Sequence, residues 1–376
     1  MEHSSNSLVS VIIPACNAEA FIAKTLESVI AQTYRNLEIL VVDDGSCDRT
    51  VGIVQEYIQK DSRIQLFRQK NAGVAAARNL GIEKSRGEFI APIDADDIWY
   101  PQNLEKQVQF MNQGGSTVGL VYSWSVDIDE NDRPTGGFKA ARIAGDVYTT
   151  FIAHYFIGNG SATMMRRSCL DRVGGYDPKF RVQNAQGCED WDLYLRIAER
   201  YEFQVVPEFL IGYRKASKSM SCDYQLMAKS HSMVMGSVQR RYPQLPQYLF
   251  KLSCHNLYLY FAHQSNRCRS HDITRFWLKE AMAAQASIIF IRLGFYQLLL
   301  SSIWGSFTQQ KTPSTLSIAH SRTVSSPKAM QNKAILFKAP RLNLILMIAF
   351  GNAFHWLINV LIEEQRFIWQ LRKRPF

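Results

Sequence analysis

The chain has 376 residues, 47% hydrophobic and 20% charged, with 21 Gly and 12 Pro. That is enough for two to three domains and unlike disordered, collagenous or low-complexity sequence. Its net charge of +10 divides unevenly: residues 1–214 hold 22 Lys and Arg against 28 Asp and Glu, and residues 215–376 hold 21 against 5.

Polar residues lead straight into Val9–Ile13, so no signal peptide is expected. Val9–Ile13 and Leu37–Val42 are continuous β-branched and Leu runs, the pattern of strands buried on both faces of a parallel sheet. A helix is predicted over Ala20–Gln32. Another covers about Thr50–Lys60, with N-cap candidates among Asp43–Asp48. Ile64–Phe67 reads as a short strand, Ala72–Ser85 as an Ala-rich helix and Glu88–Ile93 as a strand. This βαβαβ order predicts an α/β layered domain with right-handed crossovers. Further strands are expected at Val118–Val126, Ser161–Arg166 and Phe203–Tyr213, with turn chemistry at Glu130–Gly137 and a helix over Cys188–Tyr201. From about Gln225 the chain reads as helical. Residues 308–340, rich in Ser, Thr, Lys and Pro, read as a linker or ordered loop.

Seven cysteines without a CxxC spacing support neither a disulfide framework nor a structural zinc site, so reduced thiols in a cytosolic setting are expected. No acid occurs between Ala281 and Ile362. A basic tail of this kind suits an anionic partner, a membrane surface or nucleic acid. Its bases are spread among apolar helices without a nucleic-acid motif, so no nucleic acid is expected. Residues 342–362 are uncharged and long enough to span a bilayer, yet Asn352, His355 and Asn359 form a polar stripe. An amphipathic interfacial helix therefore fits better than a packed helix or a span. Lys338, Arg341 and Arg372–Arg374 stand ready for headgroups.

Three acidic clusters fall near predicted strand ends or helix starts, where ligands bind in open α/β sheets. Asp43-Asp44-Gly45-Ser46 follows a strand and suits either a base or ribose contact or a helix cap. Asp94-Ala95-Asp96-Asp97 follows another; its DxD carboxylates share a face, as a solvated turn or around a divalent cation. Glu189-Asp190-Trp191-Asp192 opens a helix, where acids cap or where one acts as a general base. Between the first two stands Asn71-Ala-Gly73-Val-Ala-Ala-Ala-Arg78-Asn79: Gly73 permits close backbone approach, and Arg78 can reach an anion or lie on the surface. Neither GxGxxG nor GxxxxGK[ST] is present, which argues against a Rossmann dehydrogenase or a P-loop NTPase.

Taken in order, Val9-Ser-Val-Ile-Ile-Pro14-Ala-Cys-Asn17, Val42-Asp-Asp-Gly-Ser46, Asn71…Arg78-Asn79, Asp94-Ala-Asp96 and Glu189-Asp190 resemble the family 2 glycosyltransferases over about residues 8–221. The resemblance implies a GT-A fold: a Rossmann-like mixed α/β sheet flanked by helices, here followed by a mainly helical basic carboxyl region. It implies a nucleotide-diphosphate sugar donor, inverting transfer to a sugar, lipid-linked or protein acceptor, and Mn²⁺ or Mg²⁺ at the DxD. By position, Pro14, Asp43 and Asp44 would lie at base and ribose, with Asn71, Gly73 and Arg78 near nucleotide or pyrophosphate. Asp94 and Asp96 would serve ribose, metal and diphosphate, Asp96 being the better ligand. Asp190 would be the base, and Glu189 would orient acceptor or donor sugar. Arg214 is the second residue of Tyr213–Ser221, which looks like the segment closing over the diphosphate; Ala216 stands where many members have His. The QxxRW motif of processive synthases is absent, which favours one sugar per encounter, in cell-envelope or extracellular polysaccharide or glycolipid assembly. A non-catalytic sugar-nucleotide-binding or membrane-bound interaction module is the alternative.

The expected organisation is a transferase domain at 1–221, with a nucleotide half at about 8–100 and an acceptor half at 101–221. A helical region at 222–307, the 308–340 linker and an amphipathic 341–376 segment follow. The expected location is cytoplasmic, peripheral at the inner face of the plasma membrane on an anionic surface.

Overall fold

A computed structural model of the chain describes residues 7–215, 223–285, 293–309, 345, 348, 349, 352, 353 and 355–358. Two compact units emerge. The first comprises Met1–Phe151, Tyr155–Val238 and Phe337–Phe376; the second comprises Ile152–His154 and Gln239–Leu336.

The first unit is built on β1 (Val9–Ala15), β2 (Leu37–Asp43), β3 (Ile64–Arg68) and β4 (Phe89–Pro92), linked by α1 (Ile22–Ile30), α2 (Thr50–Ile58) and α3 (Val74–Lys84). β1 and β2 are buried along their whole length, as their unbroken apolar runs require. β2 and β4 both pair with β1 in parallel, and β3 with β2. Gly81 brings α3 close onto β1; a Cβ there would lie 2.5 Å from Ile12 Cγ2.

The sheet continues with β5 (Ile98–Trp99), β6 (Val118–Ile128), β8 (Thr163–Arg166) and β9 (Glu202–Arg214) in the order β3-β2-β1-β4-β8-β6-β9-β5. β8 is antiparallel to both β4 and β6, which makes the sheet mixed. Because the chain runs outward from β1 to β3 and then returns to β4, the order reverses between β1 and β4. The carboxyl ends there form a crevice suited to ligands.

The Glu130–Gly137 segment is only partly a turn. Asp129–Arg133 closes the turn, and β7 (Pro134–Lys139) pairs with β6. Pro134 and two glycines hide this strand, since an edge position tolerates a missing donor. α4 (Asn103–Gln113), α5 (Tyr148–Ala153), α6 (Arg167–Val173) and the single turn α7 (Lys179–Val182) add to the reading made from sequence. α8 (Glu189–Ala198) and α9 (Tyr224–Arg241) fall where helices were expected.

In the second unit α10 (Gln247–Arg267), α11 (His271–Ala284) and α12 (Leu293–Gln309) pack on one another. Phe261 meets Trp277 at 4.8 Å between ring centroids, and Ser265 and Thr274 share a buried 3.0 Å hydrogen bond. Most of residues 308–340, Ala216–Ser221 and most of residues 341–376 lie outside the described residues. Of the last segment, His355 Nδ1 lies 2.6 Å from Thr150 Oγ1 and Ile358 is buried, while Asn352 is exposed. Among the described residues no helix is long and apolar enough to cross a membrane. Among the described residues, Cys16, Cys47, Cys169, Cys188, Cys254 and Cys268 are free thiols.

Candidate active site

Register carries the acids of β2 to the crevice: Asp43 ends the strand opposite Ala15, and the Asp44 N–H donates to Ala15 O. The Asp44 carboxylate is buried and accepts from Gln69 Nε2 (2.8 Å), Ala72 N (2.6 Å) and Gly73 N (2.8 Å). It therefore holds the residues that lead into α3 beside the end of β2. Gly73 precedes α3 at φ +93°, a conformation that favours glycine. Asn71 donates to Asp44 O at 2.8 Å and accepts from Arg181 Nη2; a Cβ on Gly73 would fall 2.7 Å from Arg181 Cδ. Asp43 accepts from Ser46 N and Arg68 Nε, and Pro14 is buried in β1 beside Val42. Asp44→Asn turns an acceptor oxygen into a donor that faces backbone N–H groups. It is expected to cost about 1–3 kcal/mol of unfolding free energy, read from urea denaturation.

The DxD lies two residues beyond β4. Thr25 Oγ1 donates to Ala95 O and Asp97 O at 2.9 and 2.8 Å, and Asp97 N donates to Asp94 O at 3.0 Å. Asp97 is fully buried, accepting from Ser161 Oγ at 2.5 Å and Arg214 N at 2.8 Å. Burial, then Asp96 and Asp94, push its carboxyl well above the usual range. Arg214 is buried: Nε donates to Asp96 O at 2.6 Å, Nη1 to Asp129 O and Nη2 to Asp132 Oδ1 at 2.6 Å. The guanidinium also lies over the Phe21 ring at 4.6 Å. These contacts tie the end of β9 to the DxD turn and the β6–β7 hairpin. Burial and then Asp94 raise the Asp96 carboxyl to about 6, and Asp96 joins no ion pair among the described residues.

Arg78 brings the second and third clusters together. On α3, 4% exposed, it donates from Nη2 to Asp94 Oδ1 (2.6 Å) and from Nη1 to Asp190 Oδ1 (2.7 Å). Its guanidinium lies over the Tyr176 ring at 5.0 Å. Asp190 sits in the first turn of α8, and burial pushes its carboxyl up to about 6 although Arg78 pulls the other way. Gly160 lies beside it: a Cβ there would come within 2.9 Å of Asp190 Oδ2, so a larger residue would displace that carboxylate. Glu189 is buried and accepts from Gly187 N at 2.8 Å, which fixes the loop entering α8; burial raises its carboxyl. Trp191 Nε1 donates to Phe151 O at 2.9 Å, and Asn79 pins the Tyr176 backbone with bonds of 2.7 and 2.8 Å.

Asp97, Gly160, Ser161, Tyr176 and Arg181 all take part and were not assigned roles from sequence. Asp97 was legible as a third acid after the DxD, and Tyr176 follows a Gly-Gly turn. Gly160, Ser161 and Arg181 carried no local signal.

The family profile described as Glycosyl transferase family 2 matches residues 10–174. An uncharacterized glycosyltransferase of Methanocaldococcus jannaschii is 33% identical over 212 residues, 55% of this chain and 70% of that protein. The putative teichuronic acid biosynthesis glycosyltransferase TuaG of Bacillus subtilis is 43% identical over 105 residues, 28% of this chain and 42% of its own length. Among solved structures, the mannosyltransferase PcManGT from Pyrobaculum calidifontis, in complex with GDP-Man and Mn²⁺, is 20% identical with a TM-score of 0.51. The alignment covers 81% of this chain and 86% of that one. S. aureus TarS 1-349 in complex with UDP is 17% identical with a TM-score of 0.51, covering 83% and 94%. At such identities the structural likeness shows the fold alone, a GT-A Rossmann-like mixed sheet with a helical carboxyl region. With the archaeal relative aligned over most of its length and the family profile matched from β1 to just past α6, the chain belongs to glycosyl transferase family 2.

Proposed function

We propose that the chain is an inverting glycosyltransferase that moves a single sugar from a nucleotide-diphosphate donor to an acceptor hydroxyl in the assembly of cell-envelope or extracellular polysaccharide or glycolipid. The observation that carries this reading is the Arg78 bridge, which joins an acid of the DxD to an acid of α8 across 2.6 and 2.7 Å contacts. An arrangement meant only to cap helices has no need to gather acids from such distant segments. The complexes of PcManGT with GDP-Man and Mn²⁺ and of TarS 1-349 with UDP support the donor class.

In this reading Asp43 and Asp44 serve the base and ribose end with Pro14, partly by holding Asn71 and Gly73 in place. Asp96 and Asp94 are the residues to hold Mn²⁺ or Mg²⁺. The donor set fits: a hard ion of this class takes one or two carboxylates plus phosphate oxygens. Asp96 offers a carboxylate that joins no ion pair among the described residues and is crowded by Asp94, and no cluster of three His, Cys, Asp or Glu suited to a metal occurs among those residues. When bound, such an ion stabilises negative charge on a departing diphosphate. Arg214 keeps the Asp96 loop in shape through the Asp96 carbonyl. Asp190 accepts the proton of the acceptor hydroxyl as that oxygen attacks the anomeric carbon from the face opposite the diphosphate. Glu189 sets the loop that presents Asp190.

A thermal-shift screen of nucleoside diphosphates and their sugars, with and without Mn²⁺, tests the reading. A ligand selective for the native state at 100 times its Kd stabilises by about 2.7 kcal/mol. One base is expected to raise the melting temperature more with Mn²⁺ than without, and Asp96→Ala is expected to remove the metal-dependent part. No shift with any nucleotide would overturn the donor assignment.

A further inference from the structure

α12 carries no charged residue over Leu293–Gln309. One face, with Phe295, Leu298 and Ser302 at most 5% exposed, packs within the second unit. The opposite face should then be polar, because a helix on a soluble surface turns its hydrophilic side to water. Instead it presents Tyr296, Leu300 and Ile303, which are 39, 67 and 40% exposed and share one stripe at i, i+4 and i+7. Trp304 is also exposed. On the neighbouring α11, Ile273 and Phe276 are exposed at i and i+3, followed on that side by the exposed Lys279. Arg275 Nη1 donates to Ser302 O at 3.2 Å, so Phe276 and Ile303 each adjoin one end of that bond.

Among the described residues the charge beside this face is net positive. Arg267 and Arg269, both exposed, lie where α10 gives way to α11, and Arg275 and Lys279 follow on α11, against Asp272, which pairs with Arg275, and Glu280. We propose that the exposed face of α12, with Ile273 and Phe276 of α11, docks into the headgroup region of an anionic phospholipid bilayer. Apolar and aromatic side chains insert at the acyl boundary while the surrounding cations neutralise lipid phosphates. Tyr suits this position because its ring is apolar and its hydroxyl stays wet. A second copy is the poorer occupant, since two such faces would bring like charges together. This inference stands apart from the transfer chemistry.

Flotation of the full chain decides the matter, using vesicles of phosphatidylcholine alone or mixed with phosphatidylglycerol, at low and high salt. The chain is expected to float with the anionic vesicles at low salt, to be partly released by high salt and to ignore neutral vesicles. The double variant Leu300→Glu/Ile303→Glu is expected to reduce the bound fraction by about tenfold with an unchanged melting temperature. If the glutamates lower the melting temperature, Leu300→Ser/Ile303→Ser replaces them and carries the same expectation. The proposal falls if the chain never floats. It falls equally if the variants float like the parent, which would give the attraction to the carboxyl-terminal segment. A parent that is dimeric in solution and made monomeric by the substitutions would assign the face to a second copy and overturn it as well.

Discussion

Asp190→Asn is expected to lower turnover by roughly 10²–10⁴-fold, the usual contribution of a positioned general base. The amide keeps the outline of the carboxylate and retains an oxygen to accept from Arg78 Nη1, so donor affinity should be unchanged. Hydrolysis of the donor selected by the thermal-shift screen gives the rate without knowledge of the acceptor. The pH profile adds an independent reading. Burial raises the Asp190 carboxyl to about 6, and a base works only when ionised. Turnover should therefore climb with pH, reach half its plateau near pH 6 and stay level above it; the Asn variant should lose that limb. Transfer at the parent rate by Asp190→Asn would remove Asp190 from proton transfer.

Arg78→Met is expected to damage both stability and catalysis. The guanidinium is buried, and its loss leaves Asp94 and Asp190 facing each other without a cation between them. Breaking a buried ion pair from one side costs about 3–5 kcal/mol. Asp94 and Asp190 are 32 and 22% exposed at the side chain, so water meets part of the deficit and the lower end applies. The midpoint of urea unfolding should fall accordingly. In whatever fraction remains folded, the base limb of the pH profile should move to higher pH, because Arg78 is the group that holds the Asp190 carboxyl down. Arg78→Lys should rescue only in part: a single ammonium cannot reproduce a planar fork that donates to two carboxylates. An unaltered unfolding midpoint in Arg78→Met would show that the bridge contributes nothing to the fold.

The part of the fold from β1 to β4 was largely legible in the sequence. β1 and β2 announce themselves because strands buried on both faces must be apolar at every position, and α8 because acids crowd its first turn. α4 was missed although Leu104, Val108 and Met111 recur at helical spacing. β5 is two residues long and has no pattern to read. The acids of the site were visible as strand-end clusters, but their partners were not. Nothing local says that Arg78 reaches Asp190, 112 residues away, or that Arg214 turns inward to backbone carbonyls beside Asp96. Asp44 illustrates the same limit: sequence places a carboxylate at the end of β2, whereas only coordinates reveal the three donors that surround it.

Anchoring α3 through Asp44 at its start and loading it with Arg78 further along has a mechanical consequence. A helix of eleven residues is a stiff rod, so its two ends cannot be displaced separately. A shift imposed at Ala72 and Gly73 would be passed along the rod to the guanidinium, and through it to both carboxylates. In the proposed transferase, donor capture and hydroxyl activation would thereby be coupled through the rigidity of one short segment.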